Sequence, residues 1–324
     1  MVKLKADLHN HLRTGSYMPP RIFNRTVDVA SERLGPGGIV GLVNYEDYRF
    51  ENFYNHAGNR GNYPCTTSGN SLYFPQQDIL IVKGQEVPTT SGDLLVLGVG
   101  IGGRLKAGRK VEDAIKEARD MQGIPILDHP FFNAGTLYGL DIRKKVKLAC
   151  LVDGIEVHNG IAGMEIPGIT REIANIEAQE FYTTLHFLLE SLRRVDSFRG
   201  RLQDLRGLDL EDLIPDAFKP WASMVDVRNV GVGALASSDG HSLRELGRSY
   251  TQLDMPEYPS IKNAEELNKH LRTAVRSSRI GGLHCEDSKL GALRHMALLV
   301  PCLIGRKIDE FVDFGLEKLA WRLG

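Results

Sequence analysis

The sequence has little of what marks exported, membrane-spanning or disulfide-rich proteins. Only four cysteines occur in 324 residues, and no two of them form a C-x-x-C pair. A disulfide framework and a finger-type zinc site are therefore disfavoured. No apolar run approaches the ~20 residues of a membrane helix, and the first residues, MVKLKAD, contain no apolar signal core. These absences predict a protein of the reducing cytoplasm that has no membrane partner.

Charge of either sign is not in excess. Forty lysines and arginines stand against 41 aspartates and glutamates, for a net charge of −1. No global field therefore attracts nucleic acid, although a local basic patch stays open. Hydrophobic residues make up 42% and charged residues 25% of the chain, which is typical of a folded globular protein and excludes a disordered one.

Short apolar runs alternate with helical patterns along much of the chain. Apolar residues recur at three- and four-residue steps over 111–121, and Gly123 ends this pattern directly before the apolar run 124–127. Such alternation predicts an α/β protein with a mostly parallel sheet. The alternation breaks between the apolar runs 79–82 and 94–99, because their connection is too short for a helix.

Two segments depart from this alternation. Residues 46–78 are rich in Gly, Asn and aromatic residues, and we predict a long loop there that overhangs the active site. The seven aromatic residues of this segment have two interpretations: a surface that stacks on bases and sugars, or a small core that ties the loop down. Residues from about 165 to 225 carry apolar stripes at helical spacing, which predict a helical insertion between two strands.

Metal-binding side chains fall where four of the predicted strands end. In parallel α/β barrels these ends form one face, where catalytic groups gather, and an extended His-x-His segment points both imidazoles to one side. Six candidate ligands therefore converge: His9, His11, Glu86, His129, Asp239 and His241. Imidazole and carboxylate without thiolate suit Zn, Mn or Fe, and a carboxylate can bridge two ions. The pattern predicts a multinuclear metal site.

The ordered motifs D-L-H-x-H, G-x-E, D-H-P, I-E-V-x-N and S-D-G-H resemble those of the PHP (polymerase and histidinol phosphatase) superfamily, over about 1–160 and 228–275. The resemblance implies a distorted seven-stranded β/α barrel, similar to a TIM barrel, over residues 1–275. The helical insertion lies within this barrel, and a C-terminal helical extension at 276–324 is expected to pack on it. The resemblance also implies two or three divalent metal ions (Mn, Fe or Zn) that perform phosphoester hydrolysis, with ligand roles for the six residues above.

Some positions depart from the pattern of the superfamily. The family usually has T-D-H after the second strand, where this chain has Asn44-Tyr45-Glu46, and it often has a further histidine where this chain has Asp93. We predict Glu46 and Asp93 as additional ligands. Both changes replace nitrogen by oxygen, which favours Mn or Fe over Zn. For His158, at another strand end, a ligand, supporting or structural role stays open, and we predict that it binds substrate.

The remaining candidates contact substrate or transfer protons. Arg13, Arg49 and Arg248 lie beside motif residues, and guanidinium groups favour bidentate contacts with phosphate. We predict Arg13 and Arg49 as substrate-binding residues and Arg248 as a catalytic residue that orients the phosphate. His129 and His241 are candidates for the acid that protonates the leaving group, a role that the sequence does not separate from that of a ligand.

The leading hypothesis is a metal-dependent phosphoesterase that hydrolyses a phosphomonoester of a small molecule or nucleotide by a metal-activated hydroxide. The alternative within this chemistry is a phosphodiesterase or exonuclease that acts on short single-stranded nucleic acid. The aromatic segment 46–78 and the arginines between 193 and 206 favour this alternative.

Two other classes stay open. An amidohydrolase-type C–N hydrolase also opens with His-x-His, but it needs a bridging carboxylated lysine, and the nearest candidate, Lys83, already belongs to the G-x-E segment. A non-catalytic scaffold barrel is disfavoured because degeneration would remove the ligands first. The sequence fixes neither the substrate and the metal nor whether the chain forms a homo-oligomer.

Overall fold

The computed structural model describes residues 1–12, 20–45, 48–59, 63–132, 135–160, 165–166, 169–170, 172–202 and 230–286. The strands are β1 (Val2–Asn10), β2 (Gly38–Asn44), β3 (Thr66–Thr67), β4 (Ser71–Phe74), β5 (Ile79–Thr89), β6 (Gly92–Leu97), β7 (Ile124–Leu127), β8 (Gly154–Asn159), β9 (Glu165–Ile166), β10 (Ile169–Thr170), β11 (Gly233–Ser237), β12 (Tyr250–Met255) and β13 (Leu283–His284). The helices are α1 (Pro20–Leu34), α2 (Arg49–Asn59), α3 (Val111–Asp120), α4 (Ile142–Ala149), α5 (Glu172–Leu202) and α6 (Ala264–Ser277). None of these helices is both long and apolar enough to cross a lipid bilayer.

One large sheet dominates the fold and is nearly closed into a barrel. Its strands run in the order β11-β8-β7-β6-β5-β2-β1-β12-β13. In addition, β4 pairs antiparallel with the first half of β5 and with β3. A bridge between Asn10 and Gly240 brings the end of β11 to β1, and the His11 amide donates to the Gly240 carbonyl at 2.7 Å. The predicted α/β class is confirmed, but the sheet is not mostly parallel as predicted, because half of the pairings along this path are antiparallel.

The strands of the sheet pair in both directions. The pairs β1–β2, β2–β5, β7–β8 and β8–β11 are parallel. The pairs β5–β6 and β6–β7 are antiparallel. The connection between β5 and β6 is shorter than the dozen or more residues of a parallel crossover, so these two strands form a hairpin.

The predicted number of strands is wrong. The path around the sheet holds nine strands, not seven, because β12 and β13 pair antiparallel beyond β1. In β12 buried Thr251, Leu253 and Met255 alternate with exposed Gln252 and Asp254. Such alternation is the signature of a strand with one solvated face, which a search for continuous apolar runs does not detect.

The prediction of a long loop at 46–78 is also wrong. This segment holds α2 and the β3–β4 pair. Phe50 and Phe53 are three residues apart and fall on one face of α2, where both are fully buried. The Phe53 ring stacks on Phe23 of α1 at 4.4 Å between centroids, and Phe74 joins the same cluster. Most of the aromatic side chains of the segment therefore build a core, the second of the two interpretations.

The predicted insertion contains a long helix. Leu185, Leu188, Leu189 and Leu192 of α5 are buried against the core that also contains Val157 of β8. The rest of the predicted insertion, from 203 to about 225, and most of the predicted C-terminal extension, 287–324, lie outside the described residues.

Candidate metal centre

Six side chains from four strand ends meet inside the barrel, and we call them the strand-end cluster. His9 lies at the end of β1 and His11 directly after it, Glu86 lies in the second half of β5, Asp128 and His129 follow β7, and Asp239 follows β11. All six are buried. Parallel strands place their carboxyl ends on one face of a barrel, and this brings together residues that are more than 200 positions apart in the sequence.

The first half of the strand-end cluster surrounds the imidazoles of β1. His9 Nε2 and His11 Nε2 are 2.9 Å apart, and Glu86 Oε2 lies 2.8 Å from His11 Nε2. Asp239 Oδ1 lies 3.7 Å from His9 Nε2 and 3.8 Å from His11 Nε2. Ligand atoms at ~2.1 Å from one ion are ~3.0–3.4 Å from each other. The ligand atoms of His9, His11 and Glu86 therefore lie close enough together to share a metal ion, and Asp239 Oδ1 lies slightly farther from the two imidazoles.

The second half of the strand-end cluster is on the other side of Glu86. His129 Nε2 lies 3.1 Å from Glu86 Oε1 and 3.6 Å from Asp128 Oδ2. Glu86 therefore offers one oxygen to each half, which is how a carboxylate bridges two ions. The groups His9–His11–Glu86 and Glu86–Asp128–His129 each bring three ligand atoms to within 4.8 Å of one another.

Several buried polar atoms of the strand-end cluster have no hydrogen-bond partner within the described part of the chain. They are Asp128 Oδ1 and Oδ2, Asp239 Oδ1 and His129 Nδ1. Buried polar groups are nearly always paired, and lone pairs of carboxylates that face one another favour a cation between them. The donor set fits hard or borderline divalent ions such as Mn, Fe or Zn.

The backbone is strained at two members of the strand-end cluster. His129 has φ 27° and Asp239 has φ 48°, in the left-handed region that costs ~1–3 kcal/mol for a residue with a side chain. Each residue lies two positions after the end of a strand, and the turn at His129 is closed by the Phe132 amide, which donates to the His129 carbonyl at 2.9 Å. Such strain is typical of functional sites.

Glu156 of β8 holds members of the strand-end cluster in position by hydrogen bonds. It is not among the predicted site residues. Its Oε1 lies 3.3 Å from His9 Nδ1, and its Oε2 accepts from the His129 amide at 2.8 Å. Asn159 Nδ2 donates to Glu156 Oε2 at 2.9 Å and to Asp239 Oδ2 at 3.1 Å. A carboxylate on Nδ1 leaves His9 Nε2 for a metal. The feature of the sequence that could have identified Glu156 is a carboxylate within the apolar run I-E-V.

Burial and the neighbouring carboxylates shift the pKa values of the histidines in opposite directions. Burial would lower the pKa of His9, but Asp239 and Glu156 raise it well above its usual value. Burial likewise opposes the charge on His129, whereas Asp128 and Glu86 raise its pKa to about 10. The surplus of carboxylate therefore creates a potential that stabilises positive charge, which protons or metal ions can supply.

The pKa values of the buried carboxylates shift in two different directions. Burial would raise the pKa of Glu86, but His11 and His129 hold it well below its usual range. At Asp128, burial together with repulsion by Glu86 outweighs the attraction of His129, and the pKa is raised well above its usual value. Glu86 therefore stays ionised and available as a ligand at neutral pH.

Asp7 of β1 has a structural role. Its carboxylate accepts from the Ser238 amide at 3.0 Å and from the Gly247 amide at 2.7 Å. Burial raises its pKa to about 6 against these hydrogen bonds. These contacts tie the end of β1 to the turn after β11, and so hold His9 and Asp239 in register.

Three further predicted residues lie at the margin of the strand-end cluster. Asp93 is half-buried, and burial together with repulsion by Glu86 raises its pKa to about 6. The His241 ring lies 5.1 Å from the His11 ring. Arg49 Nη1 donates to the His11 carbonyl at 2.6 Å.

Two predicted residues have other surroundings. Arg248 Nη1 pairs with Glu286 at 2.9 Å, and its Nε donates to the Arg244 carbonyl at 2.8 Å. Arg248 lines a groove on the surface, which does not support the predicted catalytic role. His158 is buried, with Nδ1 at 3.3 Å from Asn175 Nδ2 on α5. The predicted Glu46 and Arg13 lie outside the described residues.

Lys83 is occupied by contacts away from the strand-end cluster. Its Nζ lies 2.6 Å from Glu51 Oε1 and donates to the carbonyls of Gly100 and Gly103. An amidohydrolase needs a carboxylated lysine among its ligands. The contacts of Lys83 leave this residue unsuited to that role.

Comparison with known proteins gives structural neighbours only. No protein-family model matches the chain, and no curated protein is significantly similar to it in sequence. PsfC from Pseudomonas syringae PB-5123 has 15% sequence identity and a TM-score of 0.50, over 94% of this chain and 100% of that one. This likeness shows a shared fold.

Two further neighbours are larger proteins. PfuEndoQ from Pyrococcus furiosus, described as a lesion-specific endonuclease, has 12% identity and a TM-score of 0.47, over 87% of this chain and 57% of that one. A two-domain protein from Bacteroides vulgatus ATCC 8482, described as containing a predicted PHP-like metal-dependent phosphoesterase, has 14% identity and a TM-score of 0.42, over 85% and 63%. The chain spans about three fifths of their lengths.

Proposed function

We propose that the chain is a metal-dependent phosphoesterase of the PHP superfamily that hydrolyses a phosphomonoester of a small molecule or nucleotide. The observation that carries this proposal is the strand-end cluster, in which Glu86 faces His11 with one oxygen and His129 with the other. Burying so many ionisable groups costs several kcal/mol per ion unless they are paired or coordinate a metal. A role in packing alone does not account for them.

The donor set divides between two positions. His9, His11, Asp239 and Glu86 Oε2 would hold one ion, and Glu86 Oε1, His129 and Asp128 would hold a second. Bound divalent ions would activate water and offset the negative charge that develops on the phosphate oxygens.

The side chains of the protein supply orientation and proton transfer. Glu156 fixes the His9 ring through Nδ1, and Asn159 fixes Asp239 through Oδ2. The Arg49 guanidinium on the His11 carbonyl brings positive charge to the edge of the strand-end cluster, where a phosphate can meet it. Its position supports the substrate-binding role predicted for it.

His241 is our candidate for the acid that protonates the leaving group. Its side chain is 18% exposed, against 0% for His9 and 5% for His11. The His241 Nδ1 lies 2.9 Å from the Asp239 carbonyl, so Nε2 is the nitrogen that can carry a proton to a substrate.

The test is hydrolysis of p-nitrophenyl phosphate and bis(p-nitrophenyl) phosphate with Mn, with Zn and with EDTA. We expect monoester hydrolysis that requires metal and is lost in His9→Ala. The matched control is His270→Ala, because His270 pairs with Glu266 on α6, remote from the strand-end cluster.

Each other outcome has a clear meaning. Undiminished hydrolysis in EDTA would contradict the proposal. Preference for the diester would move the phosphodiesterase to first place. Metal binding without hydrolysis of either ester would point to a C–N hydrolase or to a scaffold barrel.

A further inference from the structure

One tyrosine and two arginines form a rim beside the strand-end cluster, and we call Tyr48, Arg49 and Arg104 the rim. We propose that the rim binds the base and phosphate of a nucleotide, so that nucleotides or the ends of nucleic acid chains are the substrate class. This inference rests on the proposed function for the identity of the reaction. The binding it describes can be measured without that reaction.

Tyr48 is the aromatic residue of segment 46–78 that stays exposed outside the core. Its side chain is 57% exposed, whereas Phe50 and Phe53 on the next turn are fully buried. The Arg104 guanidinium carbon lies 5.1 Å from the centre of the Tyr48 ring. Nucleobases stack on tyrosine faces and on guanidinium planes alike. The pair offers both surfaces at one place.

The rim lies next to the strand-end cluster. Asn44 pairs with Gln85 in the β2–β5 ladder, so Tyr45 follows at the level of Glu86 on a strand ~4.8 Å away. Arg104 Nη2 donates to the Tyr45 carbonyl at 3.3 Å. On the other side, Arg49 Nη1 donates to the His11 carbonyl at 2.6 Å. A base on the rim would therefore leave its phosphate within reach of the strand-end cluster.

Buried contacts hold the rim in place. Lys83 on β5 pairs with Glu51 on the first turn of α2 at 2.6 Å, and also donates to the carbonyls of Gly100 and Gly103, just before Arg104. The same lysine therefore fixes the helix end that carries Tyr48 and the segment that carries Arg104. Fully satisfied buried polar networks of this kind rigidify a site.

A second clamp acts on the segment that carries Arg104. Gln85 Nε2 donates to the Leu105 carbonyl at 3.0 Å, and the Leu105 amide donates to Gln85 Oε1 at 2.9 Å. Gln85 directly precedes Glu86. The position of Arg104 is thus coupled to the strand that provides the central carboxylate of the strand-end cluster.

The test compares the binding of thymidine 5′-phosphate with that of 2-deoxyribose 5-phosphate, which carries a hydroxyl in place of the base. Calorimetry on the full chain in EDTA measures affinity without turnover. We expect wild type to bind the nucleotide about tenfold more tightly than the sugar phosphate. Tyr48→Ala and Arg104→Ala should remove this difference, and Tyr48→Phe should keep it.

Phe187→Ala and Lys269→Ala are the matched controls. The first removes an exposed ring from α5 and the second an exposed cation from α6, so neither should change the difference. Equal affinity of wild type for the two ligands, or equal effects of rim and control variants, would overturn the proposal. Base-dependent binding without any phosphoester hydrolysis would leave the rim standing and refute the proposed function instead.

Discussion

The strand-end cluster and the aromatic segment around α2 are neighbours in the fold, yet they bury opposite kinds of side chain. The cluster buries carboxylates and imidazoles, which is costly unless a cation or a hydrogen bond compensates. The aromatic segment buries Phe50, Phe53 and Phe74, and burying each such ring is favourable by ~1.5–3 kcal/mol.

The contrast shows which side chains are informative about function. An ionisable group inside a protein needs an explanation other than packing, so the enrichment of His, Asp and Glu at strand ends pointed to a site. An aromatic side chain serves packing as well as recognition. Its enrichment at 46–78 therefore did not distinguish a substrate loop from a core, and only the exposed Tyr48 retains the first interpretation.

The largest effect is expected from the central carboxylate of the strand-end cluster. Glu86→Gln removes a charge that faces both halves of the cluster, so metal-dependent hydrolysis should fall about a thousandfold or more, because metal chemistry contributes several kcal/mol. Metal content and kcat/KM measure this. Glu117→Gln, at the half-exposed pair with Arg109, is the control. Retained metal and activity in Glu86→Gln would contradict our assignment.

The aromatic core provides the opposite test. Phe53→Ala opens a cavity between Phe23 and Phe74, and should lower the free energy of unfolding by ~3–5 kcal/mol. Phe187→Ala at the surface should change it by less than ~0.5 kcal/mol. Denaturant unfolding measures both. If Phe53→Ala instead raised KM at unchanged stability, the segment would be a substrate surface after all.

Removal of metal should make stability depend on pH. Asp128 and Glu86 raise the folded-state pKa of His129 to about 10, above its ordinary value of ~6.5 in an unfolded chain. The stabilising charge on His129 is therefore fully present below pH ~6.5 and is lost as pH rises towards 10.

Thermal unfolding in EDTA should accordingly show a Tm that decreases from pH 6.5 to pH 10. With metal bound the decrease should be smaller, because the ion supplies the positive charge at every pH. His129→Gln should flatten the profile in EDTA. A Tm that rises over this range would show that the assigned charge balance is incorrect.

The smallest effect is expected at Arg248. Its ion pair with Glu286 is at the surface, where such pairs contribute ~0–1 kcal/mol, so Arg248→Ala should change kcat/KM by less than about twofold. Arg49→Ala is the informative comparison. Its guanidinium lies on the His11 carbonyl, and loss of a charge-assisted contact to phosphate should cost about tenfold. The reverse ranking would restore the catalytic role predicted for Arg248.

Local sequence rules accounted for much of the fold. The spacing of apolar residues predicted α3 and its end near Gly123, and the short connection between the apolar runs of β5 and β6 predicted that no helix lies between them. The helix α2 was missed, because Gly and Asn around it suggested a loop and hid the spacing of Phe50, Phe53 and Tyr54. The strand β12 was missed because only alternate residues of it are buried.

The sequence by itself determined which chemistry is present: histidines and carboxylates at the ends of strands, in an order that predicted a metal centre. Only the tertiary structure decided how these residues are arranged relative to one another. Closure of the barrel at Asn10 and Gly240 places Glu86 between two groups of ligands and sets Glu156 and Asn159 behind them. The tertiary structure also leaves the pair of Tyr48 and Arg104 exposed, whereas it buries the rings of Phe50, Phe53 and Phe74. The physical reason is that ligand type is a property of one residue, whereas distance and burial are properties of strands that meet from distant parts of the chain.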